Sequence, residues 1–445
     1  MGDLFRKIAI PAAFGMLFAT LYNVVDVFYA GWLSTQAQAA LAISFQAFFV
    51  LLAVGIGLGS AMSALVGNAK GRDDPSEVRH FITQGLTFGA LATVAAMALG
   101  VVLGPWLIAL VSVPGEYRDL ANAYFTWLIF ALPGFLLAYG CNGMLQAHGD
   151  TVSMQRAMMV AFFANIGLNP LLMFGIGGIG GLGLDGIALA TVISQTGVMV
   201  FLLWRVLRLP GLEQLTRDEF RPDLTSFRAI LAQLLPASGT MMVMFASGFV
   251  VQFALKGFGD HALAAYGVAL RIEQILLLPV LGMTGALLPI VAQNFGASDH
   301  ARVREALFFC WKIGFLVTLV ATPALWFGGA WAMSLFTSDP QVIAVGQSYL
   351  KVDGFLFPIY MMLFSINSLL QGLKQPIWTL WISLYRQGFG IAFFVWVFIG
   401  LAGFDVWGVW LGIAVAVTSG WAIALVVMVH VTRTSIGGLR HAVAG

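Results

Sequence analysis

Residues 66–79 read VGNAKGRDDPSEVR, and residues 291–304 read VAQNFGASDHARVR. The two stretches lie 225 residues apart, and at this offset five residues of the first return in the second: Val66, Gly71, Asp74, Val78 and Arg79 as Val291, Gly296, Asp299, Val303 and Arg304. The same offset relates residues on either side of this stretch: Pro11 returns as Pro236, and Gln146 returns as Gln371. The matched residues are turn formers, prolines and helix-end charges rather than ordinary Leu or Val. The second half of the chain therefore repeats the first without a gap.

Composition restricts the class of protein. Of the 445 residues, 60% are hydrophobic and 9% are charged, against about 25% charged in soluble domains. Such a chain is expected to be a polytopic membrane protein, and duplicated halves in one are typical of a transporter with its substrate path between two lobes. The net charge of +2 gives no reason to expect a nucleic-acid partner. Cys141 and Cys310 fall in apolar stretches, which indicates small buried side chains rather than disulfides or metal ligands.

Twelve apolar stretches are long enough to cross a membrane, which takes about 20 residues. The predicted fold is therefore all-α and integral to the membrane, with two six-helix lobes at 1–206 and 228–432, a linker at 207–227 and a tail at 433–445. The spans are predicted roughly at 8–32, 39–66, 82–111, 120–146, 155–177, 183–206, 228–256, 263–293, 306–336, 344–372, 376–401 and 407–432.

Basic residues predict the orientation. They cluster after the even-numbered spans, for example at Lys70 and Arg72 and in the linker from Arg205 to Arg228, whereas the other side carries only Arg118 and Lys256. Because Lys and Arg are enriched in cytoplasmic loops, we predict a multi-pass protein of the cytoplasmic membrane with both termini cytoplasmic. Six spans separate the two copies of the repeat, so the lobes are predicted to share one topology.

Three carboxylates lie well inside predicted spans: Asp26, Glu273 and Asp353. A charge at that depth costs at least about 2.5–3.5 kcal/mol, so such a group usually faces a cavity or a partner. Asp26 has no Lys or Arg in its span after Lys7, and its repeat counterpart is Val251. Without a cationic neighbour, an apolar setting favours the protonated carboxyl, which can then exchange protons near neutral pH. The alternative is that Asp26 only links helices by hydrogen bonds.

The fifth span offers partners for this carboxylate. Asn165 and Asn169 are four residues apart and so share one helix face, and Pro170 frees a backbone carbonyl near that face. With two further polar residues they could form one pocket that holds a proton or, more weakly, a sodium ion; its members would be Asp26, Asn165, Asn169, Thr191 and Tyr22. Asn residues that merely connect helices are the alternative.

In the second half, Glu273 stands two residues from Arg271, which is not a facing spacing on a helix. We expect Lys351 or Arg386 to pair with Glu273 and Asp353, and a purely structural ion-pair network is the alternative to a functional role. Soft side chains crowd the seventh span and could form an apolar substrate surface, or simply face lipid; they include Met241, Met244 and Phe245. The glycine-rich stretch 175–186 is interpreted as a flexible outer loop.

Residues 21–28, LYNVVDVF, resemble the first helix of the multidrug and toxic compound extrusion (MATE) family. The resemblance continues through residues 146–150, QAHGD, which are similar to the family's Arg-Ala-x-Gly-Asp turn with Gln for Arg. It covers most of the chain, including Asn165 to Pro170, residues 186–191 (GIALAT), 271–273 (RIE) and 292–297 (AQNFGA).

This resemblance implies two six-helix lobes in a V shape and export of cationic, amphipathic drugs, driven by inward flow of protons or sodium. It implies that Asp26 is the coupling carboxylate, that Glu273 is functional and that helix 1 bends at Pro11. Pro236 repeats Pro11, which favours an architectural role for both. Sodium is the alternative coupling ion, but two departures from the family pattern favour protons. Asn169 stands where some members have a carboxylate, and the seventh span lacks the carboxylate that some sodium-coupled members have there. Protonation of Asp26 would release drug outward, and alternating access would complete the cycle.

Other classes fit the residues less well. A related flippase for lipid-linked sugars would need basic residues in its cavity, and the spans offer only Arg271, Lys351 and Arg386. An enzyme would need a catalytic cluster, and the sequence shows no Ser-His-Asp or Cys-His arrangement. A continuous channel suits a buried carboxylate less well than alternating access. We therefore expect a monomeric drug/proton antiporter in the lipid bilayer, with no cofactor and no metal site beyond the weak sodium site named above.

Overall fold

The computed structural model describes residues 2–111, 115–176 and 179–439. The side chains of residues 2–14, Met16, Ala19, Leu110, Val111, Glu116, Tyr117, Ile176 and Ile179 lie outside this description. The described residues form twelve long helices: α1 (Gly2–Leu33), α2 (Thr35–Gly71), α3 (Pro75–Val111), α4 (Glu116–Ala147), α5 (Ser153–Phe174), α6 (Leu184–Leu207), α7 (Leu224–Lys256), α8 (Asp260–Gly296), α9 (His300–Ser334), α10 (Pro340–Gly372), α11 (Ile377–Leu401) and α12 (Val406–Ile436).

The all-helical membrane fold predicted from the sequence is confirmed. Each predicted span lies within one helix or closely matches it, and eleven helices of the described part, α2 to α12, are long and apolar enough to cross a membrane. The other elements are short. A 3-10 turn covers Arg217–Phe220, and strands Gly175–Ile176 and Ile179–Gly180 pair antiparallel. The glycine-rich stretch interpreted as a flexible outer loop therefore contains two short paired strands.

The repeated residues of the opening motif begin the third helix of each half. Asp74 accepts a hydrogen bond from the Glu77 amide at 3.0 Å, and Asp299 accepts one from the Arg302 amide at 3.0 Å. Each aspartate thus satisfies an amide that the first helical turn leaves unpaired. The preceding residue is left-handed in both copies, with φ of 56° at Asp73 and 57° at Ser298. The 225-residue repeat is therefore a repeat of backbone geometry as well as of sequence.

The chain divides by its contacts into two compact units. One comprises Phe14–Ser238, and the other comprises Met1–Ala13 with Gly239–Gly445. Within the first unit α4 packs against α2, α3 and α6, and within the second α10 packs against the repeat-related α8, α9 and α12. Their interiors are apolar and include Phe48, Tyr124 and Leu132 in the first unit and Phe357 and Trp410 in the second.

Large apolar side chains also cover the outside of the helices. Phe253 is 82% exposed, Phe327 84% and Val320 73%, an arrangement that is stable where the surrounding solvent is lipid. Cys141 and Cys310 are free thiols and are buried, as their apolar sequence surroundings predicted.

The segment between α6 and α7 docks on α3. The Arg79 guanidinium donates to Glu219 Oε2 at 2.5 Å and to three backbone carbonyls, those of Gly211, Glu213 and Gln214. Gln84 donates to the Glu219 and Arg221 carbonyls and accepts from the Asp223 amide. The predicted linker is therefore held by hydrogen bonds to its own unit.

A candidate ion-coupling site around Asp26

Asp26 lies on α1 and is completely buried, with 0% of its surface exposed. Asn169 Nδ2, on α5, donates to Asp26 Oδ1 at 2.9 Å, and Thr191 Oγ1, on α6, donates to Asp26 Oδ2 at 3.1 Å. Each carboxylate oxygen therefore has one neutral hydrogen-bond donor. The part of the chain that the structure describes provides no Lys or Arg that forms an ion pair with it.

Asn165 extends this network by one helical turn. Asn169 Nδ2 also donates to Asn165 Oδ1 at 3.0 Å, and both amides are fully buried. The four-residue spacing on α5 predicted that the two amides share a face, and the structure shows that this face meets Asp26. Among the described residues, Asn165 Nδ2 and Asn169 Oδ1 have no hydrogen-bond partner, so the network retains an unused donor and an unused acceptor.

Tyr22 lies one turn before Asp26 and is 2% exposed. Its hydroxyl is 2.6 Å from Ser194 Oγ, and Ser194 Oγ donates to the Ala190 carbonyl at 2.6 Å. Because that bond uses the single serine proton, the Tyr22 hydroxyl is the donor to Ser194. Tyr22 therefore connects α1 to α6 one turn from Thr191 and does not contact Asp26 by a hydrogen bond. Sequence reasoning missed Ser194, since a lone serine in an apolar helix carries no distinguishing pattern.

Pro170 has the effect on α5 that the sequence predicted. A proline lacks the amide that would bond the carbonyl four residues earlier, and that carbonyl belongs to Ile166. Tyr29 Oη, on α1, donates to the Ile166 carbonyl at 3.1 Å. The aromatic hydroxyl thus satisfies the freed acceptor and joins α1 to α5 on the side of the helix break.

The carboxylates of the second unit have different surroundings. Tyr349 Oη, on α10, donates to Glu273 Oε2 at 2.7 Å. Asp353 lies one turn after Tyr349, is 1% exposed, and has no partner for either oxygen among the described residues. Neither Lys351 nor Arg386 forms a salt bridge with these carboxylates in the described part of the chain, although Arg386 interacts electrostatically with Glu273. Lys351 is wrong as a partner because its side chain is exposed.

Arg386 is buried where α11 widens from α-helical into π-helical turns, at Leu384–Gly390. Its Nε has no hydrogen-bond partner among the described residues. Arg271, the other candidate functional residue of the second half, is exposed. The remaining candidates on α7 are only partly buried, namely Met241, Met244 and Phe245. Pro11 falls within the backbone range of α1, but its side chain lies outside the described residues.

The fold and the buried polar site define the class of this protein, a multi-pass membrane transporter of twelve helices. A family model described as MatE matches residues 11–171 and again residues 236–396. The two matches are offset by the 225 residues of the repeat. The chain belongs to the MatE family, and the resemblance inferred from its sequence motifs is confirmed.

Similar proteins include transporters of different cargo. A protein of Shewanella oneidensis named FAD transporter is 27% identical over 79% of this chain and 78% of its own length. The multidrug export protein MepA of Staphylococcus aureus is 24% identical over 78% of each chain. A solved structure titled as MATE in the bent conformation aligns with a TM-score of 0.89 at 22% identity, covering 98% of this chain and 97% of the other. That last likeness concerns the fold.

Proposed function

We propose that this transporter exports cationic, amphipathic drugs in exchange for protons, and that Asp26 is the carboxylate that carries the coupling proton. The observation that carries the proposal is the burial of Asp26 between two neutral donors, Asn169 and Thr191. A buried carboxylate with a fixed cation would stay ionised through the cycle, whereas one held by neutral groups can take up and release a proton.

The amides of α5 can accommodate both protonation states. Rotating an Asn amide by 180° exchanges its oxygen and nitrogen at nearly the same positions. If Asn169 and Asn165 both turn over, a protonated Asp26 donates to Asn169 Oδ1, which then also accepts from Asn165 Nδ2. The unused donor and acceptor of the observed state are the groups that this reversed chain employs. The proton would thus reverse hydrogen-bond polarity between α1 and α5 without breaking their connection.

Coupling follows when proton and drug favour opposite states. The ionised Asp26 attracts a cationic compound into the first unit, and protonation removes that attraction, so the drug leaves when a proton arrives. Alternating access then requires only that the inward-open and outward-open forms differ in their affinity for the proton and in their affinity for the drug. We place both termini and the docked linker on the cytoplasmic side, because the basic residues concentrate there. Sodium coupling remains the alternative for the ion, and its ligands would be Asp26, Asn165, Asn169 and Thr191.

A second candidate substrate class is an anionic nucleotide such as FAD. The observation that favours it is the buried Arg386, whose Nε lacks a partner among the described residues, together with the FAD transporter relative. A guanidinium with a free donor suits a phosphate. Asp26 has no evident role in attracting such a cargo, which is why the cationic class is preferred.

The test is transport in proteoliposomes with one gradient at a time. Ethidium efflux would be driven by a proton gradient alone and then by a sodium gradient alone, for the wild type and for Asp26→Asn. Asp260→Asn is the matched control, because this carboxylate is exposed at the start of α8. We expect proton-driven efflux in the wild type and the control, and the rate of empty vesicles in Asp26→Asn. Full activity in Asp26→Asn would refute the coupling role of this carboxylate. Efflux driven by the sodium gradient would show that the coupling ion is sodium and not the proton. FAD transport without ethidium transport would favour the nucleotide class.

A further inference from the structure

Three ionisable side chains from α8, α10 and α11 lie together inside the second unit: Glu273, Asp353 and Arg386. Asp353 is 1% exposed and Arg386 7%. Arg386 interacts electrostatically with Glu273, and Glu273 does so with Asp353. The other members of this cluster are tyrosines, namely Tyr266, Tyr349 and Tyr360. In the part of the chain that the structure describes, α9 and α12 add no charged side chain to it. The charges of the cluster must therefore be balanced among these six groups.

The two carboxyl groups of this cluster have different hydrogen-bond surroundings. Glu273 Oε2 accepts from Tyr349 Oη at 2.7 Å, and Arg386 adds a positive charge to its neighbourhood. Asp353 lies four residues after Tyr349 on the same face of α10, and neither of its oxygens has a partner among the described residues. An ionised carboxylate that is buried without donors is far more costly than a neutral carboxyl. These surroundings favour an ionised Glu273 and a protonated Asp353.

Two features of the backbone fix the place of Arg386. The first is the run of π-helical turns at Leu384–Gly390, a rare geometry that is frequent at functional sites. The second is Gly420 on α12, where an added Cβ would lie 2.8 Å from Arg386 Cβ, 2.9 Å from Cγ and 3.1 Å from Cδ. The stem of the arginine therefore packs directly on the backbone of α12. Its Nε has no hydrogen-bond partner among the described residues, so the guanidinium acts on Glu273 through its charge rather than through a bond.

The first unit shows what the same positions hold without the arginine. At the 225-residue offset the three ionisable residues have apolar, buried counterparts: Phe48 for Glu273, Leu128 for Asp353 and Ala161 for Arg386. The counterpart of Gly420 is Gln195, and the π-helical turns correspond to residues 159–165 in the regular helix α5. The charges, the glycine and the π-helical turns thus occur together in one half and are absent together from the other, as expected of parts that serve one purpose.

We propose that Arg386 is a positioning residue that keeps Glu273 ionised, and that Asp353 therefore carries the proton of this cluster. A nearby guanidinium stabilises the ionised form of one carboxyl, and that negative charge in turn disfavours ionisation of the second. The cluster then has no net charge, which suits the membrane interior. A movement of α11 that withdraws the arginine lets Glu273 take up a proton, so the conformation of α11 and the protonation of the cluster are linked. This assignment goes beyond the coupling role proposed for Asp26 and does not depend on it.

The experiment is infrared spectroscopy of the full chain in lipid vesicles at neutral pH, which detects the C=O stretch of protonated carboxyl groups. In the wild type we expect a component of this band that Asp353→Asn removes and Glu273→Gln does not. Arg386→Gln should add about one protonated carboxyl per chain, and this addition should be absent from the double variant with Glu273→Gln. Arg386→Lys keeps the charge and should add none. Lys351→Gln is the matched control, because this exposed cation stands two residues from Asp353 and should leave the band unchanged.

A second variant keeps the proposal testable if Arg386→Gln does not fold, as judged by its thermal unfolding. Gly420→Ala displaces the stem of the arginine without removing its charge. We expect it to add a smaller amount of the same component, which Glu273→Gln again removes.

Two outcomes would overturn the proposal. Loss of the wild-type component in Glu273→Gln instead of Asp353→Asn would place the proton on the other carboxyl. An unchanged band in folded Arg386→Gln would show that the arginine does not determine the charge of Glu273, and loss of FAD binding in that variant would then make it a cargo residue. The infrared measurement uses neither drug nor gradient. A failure of the proposed drug/proton exchange would therefore be recognised separately, in the transport test of Asp26→Asn.

Discussion

Arg79 and Arg304 donate hydrogen bonds to backbone carbonyls that are related by the same 225-residue offset as the arginines themselves. Arg79 donates to the carbonyls of Gly211 and Glu213, at 2.8 Å and 3.0 Å. Arg304 donates to those of Ile436 and Gly438, at 2.7 Å each. Each arginine is the fifth residue of the third helix of its half and binds the segment that follows the sixth helix. Both halves have therefore kept the same interaction, in which an arginine of the third helix binds the backbone that follows the sixth helix.

Loss of Arg79 should release the linker. In Arg79→Gln, the bonds to Glu219 and to three carbonyls are lost at once, so we expect trypsin to cleave several-fold faster after Arg217 and Arg221. Arg72→Gln is the matched control, because Arg72 pairs with Glu77 at the same end of α3 but does not contact the linker. Limited proteolysis followed by mass spectrometry measures the rates. Equal cleavage of Arg79→Gln and wild type would show that the docked linker does not depend on this arginine.

The docked linker should be resistant to moderate acid. The hydrogen bond from Arg79 lowers the pKa of Glu219 from 4.5 to about 2, and the Ser226 hydroxyl and amide hold the pKa of Asp223 well below its usual range. A lowered pKa in the folded state stabilises docking fully above the ordinary value, and the contribution is lost as pH falls through the folded value. We expect the linker to stay docked at pH 5 and to detach between about pH 4 and pH 2.

Hydrogen–deuterium exchange of the peptide that covers residues 208–223 measures this, after correction for the intrinsic exchange rate. Glu219→Gln should remove most of the acid dependence, because glutamine does not titrate. A wild-type linker that loses protection already between pH 7 and pH 5 would contradict the assignment of the acid response to Glu219 and Asp223.

The sequence predicted the helices more completely than the contacts between them. The spans follow from apolar runs long enough to cross a bilayer, and Asn165 and Asn169 could be placed on one face because helical spacing is local. A pocket shared by that face and Asp26 was expected from these polar residues, with Asn residues that merely connect helices as the alternative. The docked linker and the Tyr22–Ser194 bond could not be predicted, since they join residues more than 130 positions apart through tertiary packing. The pairing of Asp353 failed for the same reason, because opposite charges in neighbouring spans do not determine which faces meet.

The two amides on α5 should differ in importance for coupling. Asn169 donates to both Asp26 and Asn165, whereas Asn165 lies near Asp26 but forms its described hydrogen bond with Asn169. In Asn169→Leu the ionised carboxylate loses a buried donor, which costs about 1–3 kcal/mol or more and favours the protonated form. We expect drug binding to lose its pH dependence in Asn169→Leu and to keep most of it in Asn165→Leu. Ethidium binding to purified protein across a pH series measures this. Equal effects of the two substitutions would contradict the proposed order of the network.

Substitutions at the hydrogen bond between Tyr349 and Glu273 can distinguish a structural role of the Glu273 carboxylate from a functional one. In Glu273→Gln the amide oxygen can still accept from the Tyr349 hydroxyl, so we expect little change in thermal unfolding. In Glu273→Leu the buried hydroxyl is left without an acceptor, at a cost of about 1–3 kcal/mol. Tyr349→Phe in the Leu background should recover part of that loss, because it removes the unsatisfied group. If Glu273→Gln unfolds normally but no longer transports ethidium, the ionisable group itself is required. If it transports at the wild-type rate, Glu273 only holds α8 against α10.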